Sequence, residues 1–169
     1  ADPQCQRVGI IGTAGTIRSC AYQHRLAMRR PDLQIHAAAT PLLVPFIEEG
    51  WIEHASTKMV LREYLKPLLE KGIDTLVLGC THYPLLTGVI SYVCGDDVTL
   101  VSSAEETAKD VYRTLVAGGL LRDPGLPEPV HQFMVTGDPA DFQRLGRRFL
   151  GPEIAKYTHD LFDNYLYLA

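Results

Sequence analysis

Cys80, Thr81 and His82 put a thiol, a hydroxyl and an imidazole on three consecutive positions, with Gly79 before them and Tyr83-Pro84-Leu85-Leu86 after. A thiol beside an imidazole is open to three roles. Cys80 can fill apolar core as an inert residue, attack an acyl carbon with His82 as its base, or carry a proton as thiolate base and thiol acid. Adjacent helix N-termini would lower the thiol pKa. His82 can hydrogen-bond the thiolate or act as an acid itself. Acyl transfer also needs an oxyanion hole and an orienting third residue, and no residue of the sequence presents itself as that third member.

A second polar cluster is Gly12-Thr13-Ala14-Gly15-Thr16. The hydroxyls of Thr13 and Thr16, free backbone N–H groups and a helix start together suit a small carboxylate or phosphate. The alternative is a plain tight turn in which Thr13 caps the helix. The glycines fit neither a P-loop nor a dinucleotide fingerprint. Glu48-Glu49 reads as a solvated pair at a helix end, with a carboxylate partner for His82 as the other reading. His24, His36, His54, His131 and His159 have no partner motif and read as surface or satisfied core residues. Cys5, Cys20, Cys80 and Cys94 show no CxxC pair and no zinc spacing, so no metal site is expected.

The elements that must position these residues alternate as βαβ units do. Residues 8–12, 33–39, 75–80 and 98–102 read as strands. The run Thr75-Leu76-Val77-Leu78 is apolar without alternation, as in a strand buried on both faces. Helical patterns cover 17–30, 41–49, 55–71, 85–94 and 103–118. In a flavodoxin-like order 2-1-3-4, strands 1 and 3 are neighbours, and the Thr13 and Cys80 loops flank one crevice at the switch point. Four strands complete an α/β unit over residues 6–103. Residues 104–169 add a helix, the Pro-rich loop 124–129, a lone strand at 131–136 and a helix at 138–150. That is too little to bury a core. The expected class is therefore a flavodoxin-like parallel sheet flanked by helices, plus a C-terminal segment belonging to a second, incomplete α/β domain.

Bulk properties exclude more than they assign. The 169 residues are 46% hydrophobic and 21% charged, with a formal net charge of -4. No Lys/Arg cluster marks a nucleic-acid partner. The longest apolar stretch, 36–47, is broken by Pro41 and Pro45 and falls short of the ~18 residues of a membrane span. No signal peptide is visible, so reduced cytosolic thiols are expected. The start at Ala1-Asp2-Pro3-Gln4, without methionine, leads to the expectation of a fragment.

The string Gly79-Cys80-Thr81-His82-Tyr83-Pro84-Leu85-Leu86 resembles the second cysteine motif of the glutamate racemases, within the aspartate/glutamate racemase family. Gly9-Ile10-Ile11-Gly12-Thr13-Ala14-Gly15-Thr16-Ile17, Ala39-Thr40-Pro41-Leu42-Leu43-Val44-Pro45, Glu48-Glu49-Gly50 and Ser103-Ala104-Glu105-Glu106-Thr107-Ala108 resemble further segments in matching order. His82 stands where aspartate racemases usually carry an acid, which favours glutamate.

The resemblance implies a cofactor-free, two-base racemisation of glutamate for peptidoglycan synthesis, in the cytoplasm. Cys80 would be one base and His82 its catalytic partner. Thr81, His82, Thr13 and Thr16 would contact substrate. The family's Asp-Ser-Gly, Pro-Tyr-Gly and Cys-Asn-Thr motifs do not occur here. The implied partners are therefore glutamate and a missing N-terminal half of the same enzyme, on which residues 104–169 would pack, with a homodimer also open to it. The chain alone would be inactive for want of the second cysteine. A non-catalytic amino-acid or anion-binding module is the alternative.

Overall fold

The computed structural model describes residues 5–152 and 154, and the backbone of 158–160. It divides into two compact units, the first ending at Leu120 and the second starting at Leu121.

The first unit holds four parallel strands in the order β2-β1-β3-β4. They are β1 (Arg7–Gly12), β2 (Gln34–Ala39), β3 (Thr75–Leu78) and β4 (Thr99–Ser102). The central strands β1 and β3 are almost wholly buried, as their unbroken apolar runs require. Their register pairs Ile11 with Leu78, and β2 pairs Ala39 with Gly12. All four carboxyl ends therefore open on the same edge of the sheet.

One face of the sheet is closed by helices α3 (Leu43–Glu48), α4 (Ala55–Leu69) and α5 (Thr87–Cys94). Leu43 and Ile47, Leu61, Leu65 and Leu68, and Val89 and Ile90 form a single buried cluster with Ile11, Leu76, Leu78 and Tyr83. Burial of such side chains contributes about 1.5–3 kcal/mol each. On the other face Val8, Val77 and Val101 meet Leu26 around a cavity of about 260 Å³.

The helix expected over 17–30 is instead two helices, α1 (Ala14–Ser19) and α2 (Ala21–Arg29), divided at Cys20. Cys20 has φ 53°, a left-handed conformation unusual for a residue with a side chain. The Ser19 hydroxyl donates to the Thr16 carbonyl at 2.7 Å and accepts from the Ala21 N–H at 3.3 Å. Local side-chain bonds of this kind compete with the helical ladder. The helix expected from residue 85 is likewise divided, into a 3₁₀ turn (Tyr83–Leu86) and α5. Helix α6 (Ser103–Ala117) closes the unit, with Ser102 accepting from the Glu105 N–H at 3.2 Å as its cap.

The second unit corrects the expectation of a lone strand. Strand β5 (Phe133–Val135) pairs in parallel with β6 (Thr158–Asp160), with α7 (Pro139–Leu150) between them. Asp138 caps α7 by accepting from Ala140 N–H at 2.8 Å. Three residues, Thr-His-Asp, carry no apolar alternation, which is why β6 is silent in the sequence. No helix among the described residues is long and apolar enough to cross a membrane.

Candidate active site

The loop after β3 is built around two close approaches. Gly79 donates its N–H to the Ile11 carbonyl at 2.8 Å. A Cβ at Gly79 would lie 2.9 Å from that same oxygen and 3.1 Å from the Tyr22 ring, so no larger residue fits. A Cβ at Gly12 would lie 3.4 Å from the Gly79 carbonyl. The ends of β1 and β3 thus touch through two glycines, and Thr13 and Cys80 follow them on adjacent strands. The two polar loops thus leave neighbouring strands at the same edge of the sheet, in the order 2-1-3-4.

Cys80 is half-buried, with its Sγ 3.9 Å from His82 Nδ1. His82 Nε2 lies 3.1 Å from Glu48 Oε1 on α3. A carboxylate can only accept, so Nε2 carries the proton and, in a neutral imidazole, Nδ1 presents its lone pair to the thiol. The Glu48 contact replaces the solvated pair expected at that helix end. It is the carboxylate partner for His82 that the sequence offered as the other reading.

Burial pushes the Cys80 thiol above its ordinary pKa, and the backbone N–H groups of His82 and Tyr83 pull in the opposite direction. The lowering expected from helix N-termini is therefore outweighed by loss of water around the sulfur.

Thr13 caps α1, accepting from the Thr16 N–H at 3.3 Å, and the two hydroxyls lie 3.0 Å apart. The structure shows the capping reading of this loop. Thr81 is exposed between Cys80 and His82. His24 and His131 are exposed and His36 is half-buried. His54 caps α4 by accepting from Ser56 N–H at 3.2 Å. The side chain of His159 lies outside the described residues. Among the described residues no group of three or more His, Cys, Asp or Glu is arranged to hold a metal ion.

Three residues escaped the sequence reading as site components. Tyr22 lays its ring over Gly79. Thr40 and Tyr83, both fully buried, join their hydroxyls at 2.5 Å. A tyrosine beside a proline and a threonine ending a strand were the available signals, and neither specifies the pairing.

A thiol, an imidazole and a carboxylate thus follow one another at the carboxyl edge of a parallel sheet flanked by helices, which defines an α/β protein with titratable groups gathered at its strand ends. A family model described as Asp/Glu/Hydantoin racemase matches residues 1–111. The chain belongs to that racemase family. It is 55% identical over 148 residues to a glutamate racemase of Parafrankia sp. (strain EAN1pec), covering 88% of this chain and 53% of the relative. Its fold is similar to the glutamate racemase isoform RacE1 of Bacillus anthracis, with a TM-score of 0.83 and 37% identity over 94% of this chain and 58% of that one. It is similar also to the Francisella tularensis glutamate racemase solved in complex with D-glutamate, with a TM-score of 0.84, 31% identity and the same coverage. The chain spans about half the length of the curated relatives it matches.

Proposed function

We propose that this chain forms part of a cytoplasmic glutamate racemase that interconverts L- and D-glutamate without a cofactor, supplying the D-isomer for peptidoglycan. The observation that carries the reading is the line from Glu48 through His82 to Cys80. Glu48 orients the imidazole, and His82 relays the proton that lets Cys80 act as thiolate base toward one enantiomer and thiol acid toward the other. Thr13 and Thr16 hold carboxylate or amino groups of the substrate through their hydroxyls. Thr81, exposed beside them, makes a further substrate contact. The F. tularensis relative, solved with D-glutamate, supports this choice of substrate.

Racemisation needs a second acid on the opposite face of the α-carbon. The second thiol is assigned to an upstream half of the protein, consistent with a match that covers 88% of this chain but only 53% of the relatives. On this reading residues 6–103 are a complete α/β domain and 104–169 pack on the upstream half; the assembled enzyme is also a candidate homodimer. The Glu48–His82–Cys80 line would serve acyl transfer too.

The test is α-proton exchange of glutamate in heavy water, followed by NMR, with circular dichroism for loss of L-glutamate. The complete protein exchanges the proton, and Cys80→Ala lowers the rate by about 10²–10⁴-fold. The 169-residue chain alone leaves the dichroism of L-glutamate unchanged. Saturable glutamate binding by the complete protein without exchange would establish a binding module instead. An acyl adduct on Cys80 would establish a hydrolase.

A further inference from the structure

Thr40 and Tyr83 are two fully buried hydroxyl residues with no place in the proton relay. The Thr40 hydroxyl donates to the Gly12 carbonyl at 3.2 Å, and the Thr40 N–H donates to the same oxygen at 2.9 Å. With its only proton so used, Thr40 Oγ1 accepts from the Tyr83 hydroxyl at 2.5 Å, with the Thr40 carbonyl a second acceptor at 3.3 Å. One directed chain of donors therefore runs from the loop after β3, through the end of β2, to the last residue of β1. Tyr83 follows His82 directly, and its N–H bonds the Cys80 carbonyl at 3.2 Å. Gly12 directly precedes Thr13.

From this geometry we infer that Thr40 and Tyr83 are positioning residues, a buried hydroxyl latch that locks the three loops of the crevice in one register and so sets the exposure of the Cys80 sulfur. Packing alone does not account for the hydroxyls. Phenylalanine and valine would fill the same space without a polar group to satisfy. A buried hydroxyl is tolerated only with its partners in place, so the pair specifies one arrangement of the loops and penalises the others. The Tyr83 hydroxyl keeps its proton over any physiological pH, since burial raises it to about 12. The inference rests on the reading of Cys80 as the proton carrier, whose sulfur must sit at a fixed place relative to the Thr13 loop.

The experiment reads the latch without substrate. The full chain is alkylated with iodoacetamide across pH 6–11, and modification of Cys80 is separated from that of Cys5, Cys20 and Cys94 by peptide mass spectrometry. Tyr83→Phe and Thr40→Val each loosen the loop and hydrate the sulfur. The midpoint of the Cys80 profile falls by about half a pH unit, roughly threefold in thiolate at a given pH. The double variant shifts no further than either single one, and Thr40→Ser keeps the original profile. Ile90→Val, which trims the buried core, leaves the profile in place. A Tyr83→Phe or Thr40→Val profile superimposed on the original overturns the latch, as does an equal shift from Ile90→Val. No glutamate is present, so either failure counts against the latch alone. Loss of the racemase reading would show in the exchange experiment with this profile intact.

Discussion

The close approach at Gly79 gives a prediction in which one substitution, made at two places, has opposite signs. In Gly79→Ala the new methyl would sit 2.9 Å from the Ile11 carbonyl and 3.1 Å from Tyr22 Cε2. The Ile11 oxygen belongs to buried β1 and also receives the Gly79 N–H at 2.8 Å, so it has no room to retreat. Overpacking of this kind costs about 1–3 kcal/mol. At the middle of that range, about 2 kcal/mol, the melting temperature falls by roughly 4–8 °C for a chain of this size. Because the displaced residue is the neighbour of Cys80, the alkylation profile of that thiol also moves. At Gly88, in the first turn of α5, a Cβ meets nothing within 4 Å. Gly88→Ala gains helix propensity and loses unfolded-state entropy, worth up to about 1 kcal/mol of added stability. Thermal unfolding by circular dichroism and differential scanning fluorimetry reads both. Equal melting temperatures for Gly79→Ala and the parent chain would refute the packing argument, as would destabilisation by Gly88→Ala.

Stability at high pH follows from the buried thiols. Burial raises Cys80, and pushes Cys94 to about 11, from the ordinary 9.0, so the unfolded chain gives up these protons first. Stability is then unaffected below pH 9 and falls as pH climbs past it; urea midpoints at pH 8 and pH 10.5 that coincide would contradict this. Glu48→Gln keeps a hydrogen bond to His82 but removes its charge. The loss of about 1 kcal/mol should slow α-proton exchange by the complete enzyme roughly fivefold with little change in the glutamate binding constant. Thr13→Val removes the α1 cap, at a cost of about 1 kcal/mol in urea denaturation, while Thr13→Ser retains it.

The parallel order β2-β1-β3-β4 was legible because the central strands are short, mainly apolar runs and each connection is long enough for a crossover helix. That order alone brought the Thr13 and Cys80 loops together. What escaped the sequence was set by single side chains acting across distance or against the local pattern. Cys20 breaks an otherwise continuous helical periodicity through the hydroxyl of Ser19, a bond that no periodicity encodes. For Glu48 the sequence left two readings, a solvated helix end or a partner for His82, and only the fold, bringing His82 to it from 34 positions away, decides for the second. The direction of the Cys80 pKa was read from helix ends, whereas the thiol's burial decides it. Strand β6 is too short and too polar to announce itself.

Helix α1 is only six residues long, and isolated helices of fewer than about 12–15 residues are marginal in water. Cut off from α2 at Cys20, it borrows its order from the strands beneath. Its capped first turn therefore stands or falls with the carboxyl ends of β1 and β2, on which it packs.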